Sequence, residues 1–176
     1  MVVKVGEKAP DFESVAWSSG GVKKIGLKDF KGKWVVLFFY PRDFTFVCPT
    51  EIRGFAAKER QFNELNAYVV GASTDSEHSH KAWFERDLKE VRFPILADTS
   101  HRVSRDYEVL IDSSGEALRG TFIIDPNGVL QYQVVSNLNT GRSIEETLRV
   151  VNALQTGELC PVDWKPGTET LSKKRK

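Results

Sequence analysis

Residues 34–40, Trp-Val-Val-Leu-Phe-Phe-Tyr, form an unbroken apolar run that ends at Pro41. Successive side chains of a strand point to opposite faces, so a run apolar throughout needs cover on both sides. After Cys48 the apolar spacing changes. Ile52, Phe55, Ala56, Phe62 and Leu65 fall along one side of a helix predicted over 48–65. Pro49 lies at or near its first position, where a missing N–H costs nothing. The chain thus carries a thiol at the N-terminus of a helix, directly after a central strand. Unpaired N–H groups and the positive end of the helix dipole favour thiolate there, which is the nucleophilic form of sulfur. A free cysteine is more often a small buried hydrophobe. The strand-to-helix position, the Thr45 hydroxyl and the flanking prolines argue for a reactive one.

The remaining pattern supplies the layers. Residues 1–33 read as an extended lead-in with a hairpin, marked by Ser18-Ser-Gly-Gly21 and Lys31-Gly-Lys33. A second apolar strand is predicted over 67–73, a helix over about 77–89, a short strand over 93–96 and a helical turn over 101–107. Strands 122–124 and 129–135 flank Asp125-Pro-Asn-Gly128, a strong hairpin signal. The last helix starts at Ser143, with Glu146 three residues on as in a capping box, and stops at Gly157. Its predicted buried side is Ile144, Leu148, Val151 and Leu154. The expected fold class is α/β: a mixed central sheet, parallel early and antiparallel late, with helices on both faces and an N-terminal hairpin extension. Nothing breaks the chain into two folded domains. We expect one domain over 1–165 and a flexible basic tail over 166–176.

The 176 residues are 40% hydrophobic and 28% charged, with net charge +1, which argues against a dedicated nucleic-acid or membrane surface. The first ten residues lack the apolar core of a secretory signal, so a cytoplasmic location is expected. The two cysteines, Cys48 and Cys160, are far apart, and no Cys-x-x-Cys pair is present. Cys160 sits in a Pro- and Gly-rich stretch beyond the last helix, exposed and movable. It is either the resolving partner of a two-cysteine redox cycle or an incidental cysteine, and spacing does not choose. His78, His80 and His101 do not make a metal site: residues two apart on a helix diverge. A surface or core histidine is the expectation for each.

Four motifs, in order, carry a resemblance. They are Pro41-x-x-x-Thr45-x-x-Cys48; Ser73-x-Asp75-Ser76-x-x-x-His80-x-Ala82-Trp83; Leu118-Arg119-Gly-Thr-Phe-Ile-Ile-Asp125; and Gly157-Glu-x-Cys160-Pro161. Over nearly its whole length the chain resembles a typical two-cysteine peroxiredoxin of the alkyl hydroperoxide reductase C type. The resemblance implies a thioredoxin-like fold and a thiol peroxidase that needs no cofactor or metal. Its substrates would be hydrogen peroxide and alkyl hydroperoxides. Cys48 would be peroxidatic and Cys160 resolving, forming a disulfide with Cys48 of a second subunit in a homodimer. Disulfide geometry would then require helix 48–65 to unwind locally. Rings of five dimers, and recycling by thioredoxin or a dedicated disulfide reductase, belong to the same implication.

Residue roles follow from the match. Thr45 would bond the thiolate or peroxide oxygen; viewed alone it is a turn or cap threonine. Arg119, which aligns with the catalytic arginine, would bring a permanent charge to a small polar transition state. Pro41 would shape the loop and keep water out. Glu51 suits the helix start and either anchors an arginine or serves only the dipole. Two departures stand out. No Gly-Gly-Leu-Gly insertion occurs between Trp83 and Pro94, and the chain ends without a Tyr-Phe helix. Both imply easier unfolding of the active-site helix and resistance to overoxidation. A holdase chaperone or redox-relay role on the same scaffold is the alternative reading.

Overall fold

The computed structural model describes residues 3–19 and 21–172. The Lys173–Lys176 run, with the end of the expected basic tail, and Gly20 of the expected hairpin turn lie outside them. The chain divides into two compact units, Met1–Arg142 and Ser143–Lys176.

The first unit is built on one seven-stranded sheet. In chain order its strands are β1 (Glu13–Ser18), β2 (Gly21–Gly26), β3 (Trp34–Phe39), β4 (Ala67–Ser73), β5 (Ile95–Ala97), β8 (Arg119–Ile124) and β9 (Leu130–Ser136). Their spatial order is β2-β1-β5-β4-β3-β8-β9. The apolar run forms β3 near the centre, parallel to β4 and antiparallel to β8. Period-two alternation then splits β3 between two cores. Phe38 stacks on Phe55 of α1 (Cys48–Glu64), ring centroids 4.3 Å apart. Phe39 points the other way, 5.5 Å from Tyr107, which ends the short helix α3 (Arg102–Asp106). Helix α2 (Glu77–Asp87) packs on the Phe38 side, with Phe84 4.8 Å from Trp17. Helices therefore cover both faces, as the unbroken run required. Gly71 of β4 lies under this layer, where an added Cβ would come within 2.6 Å of Ile95 and 2.9 Å of Phe38.

The expected N-terminal hairpin is β1 with β2, and β1 pairs antiparallel with β5 to extend the main sheet. One predicted bound changes. The strand predicted to begin at Phe122 begins at Arg119, because Arg119, Gly120 and Thr121 pair with Ser136, Val135 and Val134 of β9. The small hairpin of β6 (Leu110–Ile111) and β7 (Glu116–Ala117), turning at Gly115 with φ +71, was not legible from periodicity.

The second unit holds α4 (Ile144–Thr156). The Ser143 side chain accepts from the Glu146 N–H, and Gly157 closes the helix in the left-handed region, as predicted. Its buried residues are Thr147, Leu148, Val150 and Val151, whereas Ile144 and Leu154, at the ends where helices are least covered, are only partly buried. Among the described residues no helix is long and apolar enough to cross a membrane.

Candidate active site

Strand β3 delivers the chain to Pro41, a buried residue whose ring ends the strand by removing a ladder donor. Residues 41–47 loop across the sheet end, and Cys48 opens α1 with only 1% of its surface exposed. No side chain caps this helix at Val47, and the acidic residue of its first turn is Glu51.

Strand β8 runs beside β3 and brings Arg119 to the sulfur. Its Nη1 donates to Cys48 Sγ at 3.4 Å and to Glu51 Oε2 at 2.5 Å, while its Nε donates to the Leu138 carbonyl at 2.8 Å. Glu51, one turn into α1, holds a second arginine on its other oxygen. Arg142 donates from Nε at 2.9 Å and from its backbone N–H at 3.0 Å to Oε1. Arg142 also reaches the carbonyls of Gly120 and Phe39 and the Thr121 hydroxyl, and lies over the Phe38 ring at 5.2 Å. Burial pushes this guanidinium below its ordinary range, and Glu51 opposes that push. Two buried arginines thus share one carboxylate, leaving one positive charge beside the sulfur. Arg142 escaped the sequence reading. Its signal was a cation just before the start of a helix, where the dipole disfavours it unless a carboxylate compensates.

A second network holds the loop. Asp43, buried, accepts from the Tyr40 hydroxyl and the Ser79 hydroxyl, each at 2.8 Å, and meets His80 Nδ1 at 2.8 Å. The other ring nitrogen of His80 lies 3.2 Å from the Leu96 carbonyl, which only accepts, so Nε2 carries a proton. The Asp43 N–H donates to Asp75 at 2.9 Å. Burial, with Asp43 adjoining, drives the Tyr40 phenol well above its usual range. His80 is thus a satisfied core histidine, as expected, while His78 is exposed. The block Ser73–His80 was visible as a motif, but its pairing with Asp43 was not. Between these anchors Phe44 adopts φ +57, a strained conformation for a bulky residue, held against Trp83 and Arg86.

Of the predicted site residues, Cys48, Glu51 and Arg119 converge, with Pro41 at the loop's origin. The Thr45 hydroxyl instead donates to the Arg42 carbonyl at 3.0 Å, a turn bond that commits its proton, so it is not the donor to the thiolate that the resemblance implied. Cys160 belongs to the second unit. There it lies partly buried beyond α4, its sulfur 3.5 Å from the Thr156 hydroxyl.

The model of the AhpC/TSA family matches residues 5–133. Peroxiredoxin tpx1 of Schizosaccharomyces pombe is 48% identical over 183 residues, covering 99% of this chain and 95% of its own. The mitochondrial thioredoxin-dependent peroxide reductase of Drosophila melanogaster is 44% identical, covering 94% of this chain and 75% of its own. The reduced 2-Cys peroxiredoxin of Plasmodium vivax superposes with a TM-score of 0.90 at 37% identity, over 96% of this chain and 92% of that one.

Proposed function

The chain belongs to the AhpC/TSA family of peroxiredoxins, and on that footing we propose that it reduces hydrogen peroxide and organic hydroperoxides at Cys48. The observation that carries the proposal is the 3.4 Å contact between Arg119 and the Cys48 sulfur, made by a guanidinium that Glu51 holds in place. In the first step the sulfur anion attacks the terminal oxygen of the hydroperoxide. An S–O bond forms, the O–O bond breaks, and the alkoxide or hydroxide leaves to take up a proton. Negative charge passes from sulfur to oxygen, and donors fixed in advance along that line lower the barrier. The spare positive charge of the Arg119–Glu51–Arg142 cluster sits where that charge develops. A sulfur 1% exposed suits a small oxidant and excludes bulk water.

In the second step the Cys160 thiol condenses with the Cys48 sulfenic acid, giving a disulfide and releasing water. A thioredoxin-like dithiol then reduces that bond by exchange; the name of the Drosophila relative supports this choice of reductant. Cys160 is supplied by a second subunit. The outer edge of β9 supports a homodimer: residues 6–9 seal only its start, at Val129 and Leu130, while Val134 and Val135 beyond are each 43% exposed. Phe44 and Phe46, 48% and 95% exposed beside the active loop, offer apolar surface for closing dimers into a decamer. A cytoplasmic location completes the reading, and the folded body runs past residue 165, since Thr170 is buried and the Leu171 N–H donates to the Leu159 carbonyl at 2.8 Å.

The test is non-reducing electrophoresis before and after one equivalent of peroxide. A covalent dimer is expected from wild type and none from Cys160→Ser or Cys48→Ser. Peroxide consumption without any disulfide in wild type would remove Cys160 from the cycle.

A further inference from the structure

Resting on the resolving role of Cys160, we infer that Thr156 is a positioning residue that latches this cysteine to the end of α4 between turnovers. The Thr156 hydroxyl donates to the Ala153 carbonyl at 2.7 Å and accepts from the Glu158 N–H at 3.1 Å. A hydroxyl has one proton to give and two lone pairs. With its proton committed, its remaining contact, to Cys160 Sγ at 3.5 Å, can only accept the thiol S–H. The other polar neighbour of that sulfur, the Ala153 carbonyl at 3.8 Å, also only accepts. The single thiol proton therefore faces acceptors alone, at the helix end where unpaired carbonyls carry the negative pole. Cys48 occupies the opposite kind of pole, at a helix N-terminus beside a cation. The fold thus sorts the two sulfurs, one offered to oxidant and the other held back.

The segment that carries Cys160 is closed as one body. The Leu171 N–H donates to the Leu159 carbonyl at 2.8 Å, and the Leu159 N–H to the Ser172 hydroxyl at 3.0 Å. Within the loop, Trp164 is buried, its Nε1 bonded to Thr168 and its carbonyl to Arg149. Residues 159–172 have the compactness of an Ω-loop, and the Thr156 and Ala153 contacts tie its cysteine to the end of α4. Opening exposes the thiol, whose proton leaves in the water formed with the Cys48 sulfenic acid.

The experiment compares wild type, Thr156→Val and Thr156→Ser in the full chain. Iodoacetamide labelling of Cys160 in reduced protein is followed by mass spectrometry, with thermal melting to confirm folding. Thr156→Val should label roughly two- to tenfold faster, the factor one net hydrogen bond supplies, and should form the peroxide-induced disulfide faster. Thr156→Ser, which keeps the hydroxyl, should match wild type in both. Equal labelling in Val and wild type, or a serine variant that behaves as valine does, overturns the latch. Absence of the disulfide in wild type overturns the resolving role instead, and the labelling comparison still decides the latch.

Discussion

Glu51 and Arg119 form an ion pair at 2.5 Å with side chains only 2% and 4% exposed, and Arg142 completes it at 2.9 Å with 4%. A carboxylate so deeply withdrawn cannot be exchanged cheaply. Glu51→Ala strands two buried guanidinium groups and should destabilise the fold by about 3–5 kcal/mol. Urea unfolding measures the loss. Peroxide consumption should fall as well, since Arg119 then has no carboxylate to orient it. A variant within 1 kcal/mol of wild type would mean that the cluster is solvated in practice.

In the proposed mechanism Arg119 acts on the reacting atoms, so its removal should show in rate before stability. Arg119→Met keeps the aliphatic stem and deletes the donors. The expected loss in the rate of peroxide reduction is about 10²–10³-fold, the cost of deleting one fixed donor to a developing anion. Stopped-flow kinetics under single-turnover conditions isolates this step. Loss confined to the disulfide-forming step would move Arg119 out of the chemistry.

Gly71 tests the packing that supports the site. An alanine there must displace Ile95 and the Phe38 ring, which is stacked on Phe55. Overpacking of this kind costs about 1–3 kcal/mol. Thermal melting should register it. Because Phe38 also lies under Arg142, peroxidase activity should fall in parallel.

Acid stability should depend on Glu13. Its hydrogen bonds to Lys24 and Lys28, each at 2.5 Å, hold the carboxyl down at about 2. An acid whose folded value lies below its unfolded value of about 4.5 adds stability above that pH. The contribution fades as pH falls from about 4.5 to about 2. Melting of wild type and Glu13→Gln should therefore diverge at pH 7 and converge near pH 2. The site is open to solvent, so added salt should shrink the difference.

Overoxidation should be rare. The link from α2 to β5 is only residues 88–94, and among the described residues no helix follows α4. Neither segment adds to the Arg119 and Arg142 contacts on Glu51 that hold the start of α1. Mass spectrometry after cycling with micromolar peroxide and a reductant should find little Cys48 sulfinic acid, and abundant dioxidised Cys48 would contradict the reading.

Local pattern carried a large part of this protein. The run 34–40, the strand 67–73, the start of α1 at Cys48 and the Ser143 cap all emerge where predicted, because each is set by near neighbours: side-chain period, a proline, a cap. The motifs likewise named Cys48 and Arg119, and the helix start named Glu51. What they touch was another matter. That Arg119 reaches sulfur depends on β8 lying beside β3 though far from it in sequence. That Glu51 serves two arginines depends on Arg142 returning from beyond β9. Asp43 and His80 meet for the same non-local reason. Periodicity records which face a residue shows to the core. Only strand order and packing decide which residue waits on the other side.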